Sequence, residues 1–363
     1  MLRNQFWEGK KVIVTGHTGF KGSWLWLWLH KLGAETWGLS LEANTSPSLF
    51  NELRKSLPSN SLTHKIADIR DLNAVKELVE SSQPDVVFHL AAQPIVKLSY
   101  ADPMETWTTN VIGSLNILES LKKLEKPCSV VMITTDKVYE NKEWIHGYRE
   151  SDRLGGRDPY SASKAAAEIA IASWRSSFCG EKDHQTPYIN IATARSGNVI
   201  GGGDWASDRI IPDAIRSLIK NEPIKIRNPK ATRPWQHVIE PLSGYLKLAE
   251  MLVIEKEAPC EAFNFGPTIE SNQTVETLVE TITGHWPGEW VHEDLPMAVH
   301  EANLLHLEID KAFHRIRWKP QWNYAQSIAK TVEWYESYYN GKSALQCCID
   351  DLEAYTKIQL ISS

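Results

Sequence analysis

Lys11-Val12-Ile13-Val14-Thr15-Gly16-His17-Thr18-Gly19-Phe20-Lys21-Gly22 reads as a strand, a turn and the opening of a helix. The β-branched run Lys11–Thr15 is strand-like, and a helical pattern over 23–32 follows the turn. Gly16, Gly19 and Gly22 stand between them at GxxGxxG spacing. Glycine lets a backbone turn tightly and approach a pyrophosphate, and a helix N-terminus offers it N–H donors and a partial positive charge. Glycines are common in loops, but a strand before and a helix after give this turn the setting a dinucleotide requires. Thr18 and Phe20 lie in the same turn and are placed in the cofactor site with the glycines.

The alternation continues outward. Residues 36–41, 64–67, 85–90, 129–135 and 189–196 read as strands, with helical stretches at 72–81, 103–123 and 160–176. Strands alternating with helices predict a parallel sheet covered on both faces, an α/β doubly wound fold of the Rossmann type. Beyond Asn198 the rhythm changes: Gly201-Gly202-Gly203 opens a loop, 210–220 reads as helix, 224–227 as a short strand, and tryptophan and tyrosine cluster at 286–290 and 334–339. The expected division is a dinucleotide-binding domain, 1–197 with 232–264, and a smaller α/β substrate domain, 198–231 with 265–363, over the carboxyl ends of the strands. The final dozen residues are expected to fray.

Bulk properties exclude several classes. The 363 residues carry a net charge of −6 with both signs dispersed and no long basic run, which argues against nucleic acid and anionic membrane surfaces as partners. Five cysteines, Cys128, Cys179, Cys260, Cys347 and Cys348, form no CxxC pair and are odd in number, so neither a metal site nor a disulfide framework is indicated, and a reducing cytoplasm fits. The first residues run into the strand pattern without a signal peptide. The apolar stretch from Trp24 to Leu29 is far shorter than the roughly 20 residues of a membrane span; with Trp24, Trp26 and Trp28 it reads as a helix buried on most sides.

Chemistry enters at Tyr160 and Lys164, four residues apart in a helical segment. Positions i and i+4 share a helix face, so the Lys164 ammonium is expected beside the Tyr160 phenol, where it stabilises the phenolate as a base for a carbinol. The hydride of that carbinol needs an acceptor, and the glycine turn offers it a place. The strand over 129–135 delivers Thr134, Thr135, Asp136 and Lys137 to the carboxyl edge of the sheet, where ligands bind in open α/β folds; a solvated turn is the plainer reading of the last two. Asp68, with Ile69 beside it, is a candidate for the adenine amino group or else a helix cap. Leu90, Ala91 and Ala92 supply small residues where a cofactor passes the backbone. No acidic residue ends the second strand: Ser40 stands near that position, Glu42 lies two further on, and no arginine adjoins them for a 2′-phosphate, which favours NAD over NADP.

These residues resemble the extended short-chain dehydrogenase/reductase family over nearly the whole chain. Thr135-Asp136 ahead of Val138-Tyr139 is similar to its nucleotide-sugar 4,6-dehydratase branch, and the run Thr15 to Leu25 joined to Thr135-Asp136-Lys137 most resembles the members that act on CDP-glucose. The resemblance implies NAD as cofactor, CDP-glucose as substrate, and a 4-keto-6-deoxy product on the way to deoxysugars of surface polysaccharide. Its implied catalytic set is Thr135, Asp136, Lys137, Tyr160 and Lys164. Many members carry glutamate where Lys137 stands, so the identity of the C5 base is open, with Glu301 as a substitute. Thr109 and Asn110 resemble the pair beside nicotinamide and substrate, Asn198 and Arg233 the diphosphate contacts, and Arg209 and Asn272 further lining of that pocket. Helices near 103–123 and 160–176 resemble those of a four-helix interface, implying a homodimer or homotetramer. A nucleotide-sugar 4-epimerase would share NAD, Tyr160 and Lys164 but has no use for an acid and base at C6.

Overall fold

The structure, a computed structural model, describes residues 4–179, 189–255, 258–293 and 304–361. Seven parallel strands form its sheet: β1 Lys11–Thr15, β2 Glu35–Ser40, β3 Thr63–Ile66, β4 Val86–His89, β5 Cys128–Ile133, β6 Ile189–Ser196 and β7 Ala262–Phe265. Their order is β7-β6-β5-β4-β1-β2-β3, so the chain reverses direction across the sheet between β1 and β4. A ligand crevice lies outside the carboxyl ends of the strands at such a reversal. Alternate residues of each strand feed opposite cores. Val12, Val14, Phe88, Val131 and Ile133 join one apolar cluster, whereas Ile13, Val87, Val130 and Met132 join the other. The sheet is doubly wound, as the sequence pattern predicts.

The face containing Val12 is covered by α1 Phe20–Lys31 and α5 Ile239–Ile254. The face containing Ile13 is covered by α2 Leu72–Ser82, α3 Gly113–Leu121 and α4 Pro159–Phe178. Trp24, Trp26 and Trp28 of α1 are all buried; Trp24 Nε1 donates to Gly202 O at 3.0 Å and Trp26 Nε1 to Ser61 O at 3.2 Å. Burying an indole with its N–H paired keeps its apolar gain without an unsatisfied donor.

Two expectations change. The helix expected over 103–123 is broken into Pro103–Trp107, a π-turn Thr108–Ile112 and α3. The wide turn accommodates the buried Asn110, whose amide is held from outside the helix. The C-terminal residues expected to fray form the helix Ala344–Ile361, which packs on the helix Leu49–Ser56 and, through Tyr355, on Trp28 at a ring distance of 6.0 Å. That helix therefore braces the flank of the sheet on the side of α1. Three short pairings build the region over the sheet edge: Val199–Ile200 with Gln236–His237, Thr232–Pro234 with Asn272–Thr274, and Ile224–Ile226 with Trp290–His292. Among the described residues no helix is long and apolar enough to cross a membrane.

Candidate active site

The glycine turn forms a cradle. Gly16 has φ +74°, and a Cβ there would stand 2.8 Å from the Ala91 backbone nitrogen, so only glycine lets β1 and the Leu90-Ala91-Ala92 segment approach so closely. Gly19 is the N-cap of α1 and has no side-chain cap, which leaves the first-turn N–H groups directed at the crevice. Thr18 ties the turn to the end of β2: its Oγ1 bonds Ser40 Oγ at 2.7 Å and Leu41 O at 2.8 Å. Phe20 packs inward beside Gly201. Buried His17 faces His64, its burial lowering its pKa to about 3 and keeping it neutral. A glycine cradle, an uncapped helix terminus and a first turn without acidic residues fit the pyrophosphate of a dinucleotide.

Asp68 does not cap a helix; Asp71 does, accepting from Asn73 N and Ala74 N. Asp68 instead receives Arg70, whose Nη2 lies 2.6 Å from Oδ2, and that hydrogen bond lowers the Asp68 pKa. Two further candidates are held by the protein itself. Ile69 turns its side chain into the core, and its carbonyl is taken by Asn116 Nδ2 at 3.0 Å. Asn110, expected at the substrate, is buried: it accepts from Gln93 N and donates to Gln93 O and to Ser163 Oγ. It locks the π-turn to the loop after β4, while Thr109 beside it is half-buried.

At the carboxyl end of β5 the backbone of Thr135 is extended and Asp136–Val138 forms a single 3-10 turn. Thr135 Oγ1 donates to Asp136 Oδ1 at 3.0 Å, and Lys137 N reaches the same hydroxyl at 3.4 Å. Asp136 is 3 % exposed. Lys137 Nζ stands 3.6 Å from Asp136 Oδ1 and donates to Asn198 Oδ1 at 3.5 Å. The turn is therefore not a solvated one: the carboxylate faces inward against Gly197, where a Cβ would come within 2.9 Å of Oδ2.

Tyr160 and Lys164 enter from α4, both buried. Burial pushes the Tyr160 phenol up to about 12, against the lowering influence of Thr135 nearby. Lys164 Nζ donates to Ile133 O at 3.3 Å, and burial lowers its pKa to about 8. Among the described residues no hydrogen bond joins the Lys164 amine to the Tyr160 phenol; the amine meets the end of β5.

Sequence reasoning gave no role to Lys21. Its Nζ donates to Ser196 Oγ at 2.8 Å, Ser196 Oγ in turn bonds Tyr245 OH at 2.7 Å, and burial brings the amine down to about 7 despite the nearby Asp136. Glu168 was also passed over, although Tyr160, Lys164 and Glu168 stand at i, i+4 and i+8. Glu168 accepts from Arg195 Nη2 at 2.8 Å, Thr134 Oγ1 at 2.5 Å and Thr193 Oγ1 at 2.9 Å, bolting β5 and β6 to α4 just below the site.

The remaining candidates assemble next to this edge. Arg233 and Asn272 share the antiparallel pairing Thr232–Pro234 with Asn272–Thr274, and Pro234 adjoins Gly197. Arg233 Nη1 donates to Thr232 O at 2.8 Å, while Asn272 Oδ1 is buried without a hydrogen-bond partner among the described residues. Arg209 pairs with Asp204 at 2.8 Å and lies within electrostatic reach of Tyr160 and Lys21. Glu301 lies outside the described residues.

Comparison with known proteins places this geometry. A CDP-glucose 4,6-dehydratase of Salmonella typhimurium is 43% identical over 359 residues, 98% of each chain. A dTDP-glucose 4,6-dehydratase of Haemophilus influenzae is 26% identical, covering 89% of this chain and 97% of its own. The crystal structure of a dTDP-glucose 4,6-dehydratase from Bacillus anthracis in complex with NAD matches with a TM-score of 0.71 at 20% identity, over 92% of this chain and 99% of that one, a likeness of fold. The GDP-mannose 4,6 dehydratase family model matches residues 13–331. The chain belongs to that family, within the extended short-chain dehydrogenases/reductases.

Proposed function

We propose that the chain is an NAD-dependent lyase that converts CDP-glucose to CDP-4-keto-6-deoxyglucose. The observation that carries the reading is the inward-facing Asp136 beside Lys137 at the edge that also receives Tyr160. An oxidoreductase or epimerase needs the tyrosine alone, whereas elimination of water also needs an acid and a base. NAD, when bound, takes up hydride from sugar C4 and returns it to C6, so it ends each cycle unchanged.

The residues divide the proton transfers. Tyr160 as phenolate removes the C4 hydroxyl proton. The 4-ketone acidifies C5, from which Lys137 as neutral amine takes a proton, while Asp136 protonates the C6 hydroxyl as it leaves. Burial, aided by the like charges of Arg209, Lys164 and Lys137, lowers the pKa of the Lys21 amine beside Asp136. The glycine turn and the free end of α1 hold the cofactor's pyrophosphate, with Thr109, Tyr160 and Lys164 toward its nicotinamide half and Asp68 toward its adenine. Asn198, Arg209, Arg233 and Asn272 take the nucleotide sugar, where arginine's planar fork suits a diphosphate.

Leu98, Tyr100, Met104, Trp107, Ile112 and Ile169 are exposed apolar side chains on α4 and the segments flanking it, which supports a homodimer or homotetramer through that face. Five unpaired cysteines support a cytoplasmic setting, and the product suits an early step toward deoxysugars of surface polysaccharide. The test is incubation with a panel of CDP-, UDP-, GDP- and dTDP-glucose followed by product mass. Loss of one water from CDP-glucose alone is expected; conversion without a mass change would make the protein an epimerase.

A further inference from the structure

The proposed dehydration, on which this inference rests, requires groups carried by three separate elements to meet one sugar. Tyr160 and Lys164 stand on α4, and Asp136 and Lys137 follow β5. Gly197 and Asn198 follow β6, where the first lies against Asp136 Oδ2 and the second accepts from Lys137 Nζ. Backbone bonds align the two strands up to their ends: Thr134 N, one residue past β5, donates to Ala194 O at 2.9 Å. They do not reach the helix packed on them. A shift of about 1 Å between reacting groups costs about 10²-fold in rate, so the register of α4 on the strand ends bears on the chemistry.

We propose that Glu168 is the positioning residue that sets this register, with Thr134 and Thr193 as its struts. It stands on the same face of α4 as Tyr160 and Lys164, one further step of four residues along the helix. Its Oε1 accepts from Thr134 Oγ1 at 2.5 Å, two residues before Asp136. Its Oε2 accepts from Thr193 Oγ1 at 2.9 Å and Arg195 Nη2 at 2.8 Å, both on β6 and just ahead of Gly197. Among the described residues no other side chain of α4 is hydrogen-bonded to both strand ends: Lys164 reaches Ile133 O alone and Arg175 reaches Ile191 O alone.

The arrangement calls for a carboxylate. Ionised, it offers about four lone pairs and no hydrogen, so donors from two strands converge on it without conflict. Glutamine would turn its NH2 group toward one of them. Threonine makes a stiff strut, because its branched side chain is restricted at χ1. Glu168, Thr134, Thr193 and Arg195 are all buried, so water does not replace a lost bond, and the Arg195 guanidinium helps to keep the carboxyl ionised.

The experiment removes one strut without touching the charge pair. Thr134→Val keeps the shape and loses the hydroxyl; Thr134→Ser keeps the hydroxyl. Each is compared with wild type by amide hydrogen exchange and by steady-state turnover of CDP-glucose. In Thr134→Val, exchange over residues 134–138 and 196–198 should quicken about 10-fold while β1 and β2 exchange as in wild type. Its kcat should fall about 10-fold with KM for CDP-glucose within about twofold, the mark of lost alignment rather than lost binding. Thr134→Ser should restore both. Unchanged exchange in Thr134→Val would overturn the proposal, because the bond would then hold nothing in place. Faster exchange at unchanged kcat would also overturn it, leaving Glu168 as a brace with no part in alignment, and so would a rise in KM without a fall in kcat. Should Thr134→Val fail to fold, Thr193→Val removes the β6 strut and is read by the same two measurements. Wild-type protein that releases no dehydrated product from CDP-glucose would instead overturn the dehydratase reading, and the exchange result alone would then decide the strut.

Discussion

Glu168 and Glu240 are both buried carboxyls with several hydrogen-bond donors, yet they are held in opposite directions. Glu168 accepts from Thr134, Thr193 and Arg195, and its pKa is lowered: burial alone would raise it, but the guanidinium and the three donors together prevail. Glu240 accepts from the backbone N–H groups of Gln321 and Trp322 and from Tyr355 OH, but no cation reaches it, and burial pushes its pKa up to about 7. Neutral donors do not replace a counter-charge for an ion in a low-dielectric interior. The difference follows position. Glu168 and Arg195 lie under Thr134, one residue before the catalytic turn, where a fixed charge pair also fixes the strand ends. Glu240 ties α5 to the C-terminal helix, where a carboxyl that gains or loses a proton disturbs no chemistry.

Breaking the first cluster should have the largest effect. Arg195→Met leaves Glu168 buried without its partner, and also removes the hydrogen bond that Arg195 Nη1 donates to Tyr139 OH at 2.8 Å. A loss of about 3–5 kcal/mol is expected, the usual result of removing one side of a buried pair. Urea unfolding measures it; a loss below about 1 kcal/mol would show that the pair is no stronger than two neutral hydrogen bonds.

Tyr160→Phe separates rate from stability at the same edge. The ring and its packing remain, so the unfolding midpoint should move by no more than one lost hydrogen bond, about 1 kcal/mol. Turnover should fall about 10²–10⁴-fold, with nucleotide-sugar binding by calorimetry nearly unchanged. A variant retaining a tenth of wild-type turnover would remove Tyr160 as the base.

Much of this was legible in the sequence, for a physical reason. Hydrophobic periodicity and the Gly16–Gly22 turn specify strands, helices and their order because both arise from local backbone geometry. The Thr135-Asp136-Lys137 triplet and Tyr160 with Lys164 were visible because each is local in sequence. What stayed hidden depends on contacts across the fold. Lys21 meets Ser196 from 175 positions away, Arg195 meets Glu168 from another element, and Asn110 is held by Gln93 and Ser163. Lys164 shares a helix face with Tyr160, as its spacing requires, but its amine reaches the carbonyl of Ile133, on another element. Spacing fixes a face; it does not fix where a long side chain ends.

Within the catalytic turn the comparison can be made finer. Asp136→Asn and Lys137→Met should still oxidise C4 and then stall, so reduced-nicotinamide absorbance should build up on mixing with substrate while product formation slows about 10²-fold. Deuterium exchange at C5 should disappear in Lys137→Met and persist in Asp136→Asn. Equal exchange in both would reassign the base; absence of the absorbance change would mean that the turn positions the sugar for oxidation instead.

The smallest effect belongs to Glu240→Gln. The folded pKa of Glu240, about 7, is above its ordinary 4.5, so the native state holds a proton that the unfolded chain releases. Its contribution is therefore fully present below about pH 4.5 and is lost as pH rises through about 7. Neutral buried His17, His89 and His237, all lowered to about 3, act with the opposite sign, losing stability as pH falls below the ordinary histidine value, so only the difference between variant and wild type isolates Glu240. Glutamine mimics the protonated form: its amide can donate to Tyr355 OH, which passes a hydrogen bond to Ser243 Oγ at 2.9 Å. At pH 5 the variant should lie within about 1 kcal/mol of wild type, the range of an isosteric change that keeps its partners. By pH 8 it should be the more stable of the two, because wild type must then ionise a carboxyl that has no cation. Urea unfolding at both pH values decides it. A difference that does not change with pH would mean that Glu240 is already ionised at pH 5, and that its hydrogen-bond donors can, after all, stand in for an arginine.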